Sequence, residues 1–132
     1  MSSPPVSVRF PDPDAAIPLV FDSPHSGMRF PDGFQTPATP AQLRTAWDAH
    51  VEDLWAGAVD FGASLIAAEF PRVLIDPNRA PDDIDPALLG APWPEAWGEL
   101  APTGYSQRGM GLIRRDILPG HPLHAAPLPP AR

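Results

Sequence analysis

Proline sets the strongest limit on what this chain can fold into. Twenty-one of its 132 residues are proline. Each fixes φ and removes a backbone donor, which excludes it from helix interiors and central strands. The prolines crowd residues 4–18, 81–102 and 119–130, leaving a compact block between them. Residues 81–108 and 119–132 therefore read as loop or extended segments, and the tail from His121 to Arg132 is a poor helix former.

Within the block, hydrophobic patterning predicts the order of elements. Residues 6–10 suit a short edge strand. Residues 18–22 (Pro-Leu-Val-Phe-Asp) suit a buried strand that runs into the turn Ser23-Pro24-His25-Ser26-Gly27. Thr39-Pro40-Ala41-Gln42 announces a helix, with an N-cap hydroxyl, proline at the first position and a glutamine that can close a capping box. Leu43, Trp47, Val51, Leu54, Ala58 and Phe61 then recur at steps of three and four, one apolar face of a single amphipathic helix. Gly62 suits its C-terminal cap. Short apolar runs at 64–68 and 73–76 read as strands. This order predicts an α/β sheet flanked by helices, in one domain with one core.

Composition narrows the function. A net charge of −7 argues against a phosphate-backbone partner. Cysteine is absent, which removes disulfides and thiolate metal sites. No apolar run is long enough to span a bilayer and no signal-peptide pattern opens the sequence, so a cytoplasmic location is expected. All nine basic residues are arginine. Compositional bias accounts for that, and each arginine is judged by its setting.

His25 lies in a shaped turn at the end of a predicted strand, where ligands bind in α/β sheets. A neutral imidazole there suits zinc, though a turn histidine bonded to backbone explains the same pattern. Trp47-Asp48-Ala49-His50-Val51-Glu52-Asp53 offers further ligands or bases, with Asp48 and Glu52 on one helical face; a solvated helix face would look the same. In Asp76-Pro77-Asn78-Arg79, the Arg79 guanidinium matches a carboxylate with two parallel hydrogen bonds and Asn78 adds an amide donor. Strand alternation would bring Arg72 to the side of Asp76. The alternative there is an Asp–Arg ion pair that pins a loop. Gly109-Met110-Gly111 reads as a glycine turn into a strand, and the His121/His124 pair as incidental.

These stretches, Ser23 to Gly27, Asp48 to Leu54, Arg72 to Arg79 and Gly109 to Ile113, resemble in order and spacing the N-formylglutamate amidohydrolase family. The resemblance runs from about residue 17 to the end. It implies a zinc-exopeptidase-like α/β fold related to carboxypeptidases and aspartoacylases. It also implies hydrolysis of N-formyl-L-glutamate to formate and glutamate, late in histidine breakdown. His25 would be the first zinc ligand and Asp48 the acidic one, with Glu52 as runner-up. Arg72 would polarise the scissile carbonyl, while Asn78 and Arg79 hold the substrate carboxylate. Met28 stands where related acylases place a glutamate ligand, and family members run to roughly twice this length. The expectation is an N-terminal portion of such a domain, inactive alone, completed by a further half or by self-association. The alternatives are a non-catalytic carboxylate-binding module and a non-functional truncated remnant.

Overall fold

The central strand of the structure is the most continuously apolar of the predicted ones. In the computed structural model, which describes residues 4–130, Ser64–Ala68 (β3) is flanked on both sides. Val6–Arg9 (β1) pairs with it antiparallel, Val6 opposite Ala68 and Arg9 opposite Leu65. Val20–Ser23 (β2) pairs with it parallel, Val20 opposite Ser64 and Ser23 opposite Ala67. A middle strand needs apolar residues toward both faces, and Leu65, Ala67 and Ala68 are all buried. The two outer strands keep Val6, Val8 and Val20 exposed. The chain divides into two compact units, one running to Phe30 with Trp47–Arg72 and the other comprising Pro31–Ala46 with Val73 onward. The three-stranded mixed sheet belongs to the first.

The predicted helix forms only in pieces. Its start matches the expected capping box: Thr39 Oγ1 accepts from the Gln42 amide at 3.3 Å, and Gln42 Oε1 accepts from the Thr39 amide at 2.8 Å. Yet Pro40–Arg44 (α1) ends within two turns, and Val51–Trp55 (α2) starts afresh after His50, which holds a left-handed φ of 61°. A 3-10 turn over Ala56–Phe61 follows. Tertiary hydrogen bonds account for the break. The Asp48 amide donates to the His25 carbonyl and the Trp47 indole to the Ser26 carbonyl, so these residues are held by the turn after β2. The expected continuous apolar stripe is therefore absent, and Leu54 and Phe61 are 79% and 84% exposed. Gly62 caps as predicted, at φ 89°, where a Cβ would lie 2.2 Å from the Ala15 carbonyl oxygen.

The predicted strand at 73–76 is corrected to a turn at 72–74 followed by two residues, Ile75 and Asp76, outside any regular element. Its Asp76 amide donates to the Leu112 carbonyl, and the Asp76 side chain turns back to accept from the Asn78 amide. The regular alternation that would have aligned Arg72 with Asp76 does not exist.

The second unit holds α1, the short helix Gly104–Gln107 (α3), and the strand pair Asp116–Leu118 (β4) and His121–Pro122 (β5). Val73, Ile84, Leu88, Ile117 and Leu123 are buried in it. The expectation that 81–108 is loop or extended chain is corrected at α3, which forms within it. The rest is largely loop, relieved by 3-10 turns at Pro86–Leu88 and Glu95–Trp97. Residues 131–132 of the expected extended tail lie outside the described residues. The strand expected directly after Gly111 begins instead at Asp116, preceded by a single bridge between Met110 and Arg114. No helix among the described residues is long and apolar enough to cross a membrane.

Candidate functional site

The end of β2 carries the polar chemistry of the first unit. The hydroxyls of Ser23 and Ser26 lie 2.7 Å apart and close the Ser-Pro-His-Ser-Gly turn. Gly27 then passes so near the end of β3 that a Cβ would sit 2.3 Å from the Glu69 carbonyl carbon and 2.4 Å from the Ala68 oxygen. Only glycine allows that approach. The next-but-one amide, Arg29, donates to the Glu69 carbonyl at 2.9 Å. Pinned at both ends, the turn buries His25.

Asp48 reaches this histidine because its own backbone is tied to the His25 carbonyl. His25 Nδ1 lies 3.2 Å from Asp48 Oδ2, and the same oxygen lies 3.6 Å from Arg72 Nη1. An ionised Asp48 carboxylate only accepts, so in this hydrogen bond the imidazole is the donor. His25 and Arg72 side chains are 8% and 16% exposed while Asp48 is half exposed. A carboxylate thus stands at the mouth of the cluster with a guanidinium and an imidazole behind it.

Three of the residues singled out in the sequence, His25, Asp48 and Arg72, are therefore brought together in one unit. Their donor types suit a metal ion in part. Neighbouring donors on a tetrahedral zinc stand about 3.3 Å apart, close to the His25–Asp48 separation. The same geometry equally suits a carboxylate that orients a ligating histidine. Among the described residues, no three His, Asp or Glu side chains gather into a metal-holding group. Glu52 is drawn away to Arg9, and His50 bonds Asp53 at 3.2 Å on the exposed surface. An open apolar hollow of about 440 Å³ in this unit, lined by Leu19, Phe21, Leu54, Trp55 and Phe61 among others, contains no titratable side chain.

Asn78 and Arg79 belong to the second unit. Asp76, fully buried, holds their turn by accepting from the Asn78 amide at 3.1 Å. Arg79 donates Nε to the Met110 carbonyl at 3.2 Å, and its guanidinium carbon sits 4.1 Å from the centre of the Tyr105 ring. His121 meets Gln42 and His124 meets the Arg114 carbonyl, so the two tail histidines serve separate contacts.

Sequence reasoning missed the partners. Trp47 was read as part of an apolar stripe, whereas its indole N–H fixes the histidine turn. Asp83 was not singled out at all. It is buried, and accepts from the Thr103 amide and hydroxyl at 2.8 and 3.0 Å. Burial alone would raise its pKa. The Thr103 backbone bond, the Ser106 and Thr103 hydroxyls and the Arg79 charge outweigh that and hold it below the usual carboxylate value. The available signal was an Asp followed by an apolar residue, Asp83-Ile84, in the acidic run from Asp82 to Asp85.

Comparison with known proteins fits these features. A 43% identical crystal structure, an N-formylglutamate amidohydrolase from Ralstonia eutropha JMP134, superposes with a TM-score of 0.88 over 96% of this chain and 44% of that one. An N-formylglutamate deformylase from Pseudomonas aeruginosa is 37% identical over 121 residues, which is 87% of this chain and 37% of the relative. Another from Pseudomonas putida is 40% identical over 76 residues, 57% of this chain and 28% of the relative. The chain thus spans less than half the length of each of these proteins. The N-formylglutamate amidohydrolase family model matches residues 17–132, and the chain belongs to that family.

Proposed function

We propose that this chain carries part of the active site of a zinc-dependent hydrolase that converts N-formyl-L-glutamate and water to formate and L-glutamate. The fold would then be related to the zinc exopeptidases. The observation that carries the reading is the convergence of His25, Asp48 and Arg72 at the end of β2. His25 and Asp48 would hold the zinc, which when bound lowers the pKa of its water and polarises a carbonyl. Arg72 would face the formyl oxygen, where its fixed positive charge favours the oxyanion that develops as water adds to the formyl carbon. The C–N bond then breaks, and the amine leaves with a proton. Asn78 and Arg79 would hold a carboxylate of the substrate, a task suited to the guanidinium fork.

A catalytic zinc takes three protein ligands, and the cluster supplies two candidates. We therefore expect this chain alone to be inactive or nearly so, and to need further ligands and a general base from elsewhere. Equilibrium dialysis with zinc at neutral pH, on the chain and its His25→Ala variant, tests the reading. Weak binding that His25→Ala abolishes supports a partial site. One tightly held zinc per chain, together with formate release, would overturn the expectation of incompleteness. Binding that is indifferent to His25→Ala would remove the metal assignment altogether. A carboxylate-binding module without catalysis is one alternative reading, and it predicts glutamate binding untouched by chelators. A non-functional remnant is the other, and it predicts binding of neither zinc nor glutamate.

A further inference from the structure

N-formylglutamate carries two carboxylates, and Arg79 answers for one. A second arginine shares its platform. Tyr105, the second residue of α3, is 48% exposed. The guanidinium carbon of Arg79 lies 4.1 Å from its ring centre, and that of Arg108 lies 5.1 Å from the same centre. Both are within the range of cation–π attraction. The two cations are therefore no farther apart than the sum of those distances. The two carboxylate carbons of a glutamate are about 5 Å apart when its chain is extended.

The platform is built firmly. Asp83 accepts from the Thr103 amide and hydroxyl, and Thr103 Oγ1 in turn accepts from the Tyr105 amide at 3.1 Å. Ser106 is fully buried beneath, and Gly111 approaches so closely that a Cβ would fall 2.6 Å from the Asp83 carbonyl oxygen. The Met110 amide donates to the Tyr105 carbonyl at 2.8 Å, while the Met110 carbonyl receives Arg79 Nε. The Gly109-Met110-Gly111 segment thus links the arginine to the tyrosine. Among the described residues, neither Arg79 nor Arg108 forms an ion pair with a carboxylate. Two like charges beside one ring, with Asp83 interacting with Arg79, favour an added anion.

We propose that Arg108, seated with Arg79 on Tyr105, is a specificity-determining residue that selects dicarboxylic over monocarboxylic N-acyl amino acids. Arg79 takes one carboxylate and Arg108 the other, with Asp83 as a positioning residue for the helix that carries Tyr105 and is capped by Arg108. The inference rests on the hydrolase reading above.

The test is an NMR titration of the chain with N-formyl-L-glutamate and with N-formyl-L-glutamine, which replaces the side-chain carboxylate by a neutral amide of the same size. The expected result is a preference of tenfold or more for the glutamate compound. Arg108→Gln erases the preference and leaves affinity for the glutamine compound unchanged, while Arg79→Gln weakens both. Tyr105→Leu, at an exposed position, also reduces the preference. If both compounds bind but Arg108→Gln leaves the preference intact, the role of Arg108 is wrong and the hydrolase reading stands. If neither compound binds, both readings fall.

Discussion

The two units solve the same problem, the satisfaction of backbone donors, in different ways. The first uses a ladder: β1, β3 and β2 exchange backbone bonds in register, and the buried residues at its centre are small and aliphatic. The second has few ladder bonds and uses buried carboxylates instead. Asp76 accepts from Asn78, Asp83 from Thr103, and Asp85 from Ala87 while also pairing with Arg115. A ladder is specified by periodicity over several residues. A carboxylate-held loop is specified by single residues, each of which satisfies donors that proline-rich chain cannot pair regularly. The ladder places chemistry at a strand end, and the carboxylates place it on loops.

The contrast predicts where each unit breaks. In the first, the critical feature is backbone proximity, so the largest effect is expected from Gly27→Ala. The added methyl would overlap the Ala68 and Glu69 backbone, which cannot move without disturbing the end of β3. We predict a loss of about 3 kcal/mol or more, read from urea denaturation. Gly57→Ala is the control in the same unit. Nothing lies within 4 Å of its Cβ position, so the change should be neutral or slightly stabilising. Equal effects at the two positions would sink the proximity argument.

In the second unit the critical feature is a charge. Asp83→Ala removes the charged acceptor for the Thr103 amide and hydroxyl. A loss of about 2–3 kcal/mol is expected, with faster hydrogen exchange at Thr103 and Tyr105. The pH dependence carries the sign. The folded-state pKa of Asp83 lies below the ordinary 3.8, so the folded state binds fewer protons than the unfolded one as pH falls. Its stabilisation is complete above the ordinary value and is lost as pH drops through the lowered one. Wild type and Asp83→Asn should therefore converge in stability in acid and separate above about pH 4. A constant difference across that range would mean that the carboxylate charge is not what holds the loop.

Much of the first unit was legible in the sequence. The strands at 6–10, 18–22 and 64–68 were found to within two residues from their alternation and apolar runs. Only 64–68 is buried: the run at 18–22, expected as a buried strand, lies at the sheet's edge with Val20 exposed. His25, Asp48 and Arg72 were singled out, and the structure gathers them. Asp48, however, was assigned to a helix face when it lies in a break that Trp47 and the His25 carbonyl impose. No local pattern encodes a bond to a residue some twenty positions earlier. The strand at 73–76 failed for a related reason, since an apolar run ending in Asp-Pro reads as a strand until its carboxylate is seen to turn inward. Local caps fared better: Thr39 was assigned correctly because its capping partner, Gln42, lies only three residues on. Thr39→Ala should cost about 1 kcal/mol, a smaller change than either loss above, measured by the same denaturation.

The smallest effect is the one most at odds with sequence periodicity. If Leu43 to Phe61 formed one amphipathic helix, Leu54 and Phe61 would be core residues, and replacing either by serine would cost about 2–5 kcal/mol. The structure leaves both more than three-quarters exposed, on a segment that changes from α-helix to 3-10 turn at Ala56. Leu54→Ser and Phe61→Ser should each shift stability by less than about 0.5 kcal/mol. They should also lower any tendency to self-associate, because Leu54, Trp55 and Phe61 line one open apolar hollow. Sedimentation velocity at two concentrations reads that second effect. A large stability loss in the monomer would restore the continuous helix and dismiss the break at Asp48, and with it the geometric basis for the His25–Asp48–Arg72 cluster.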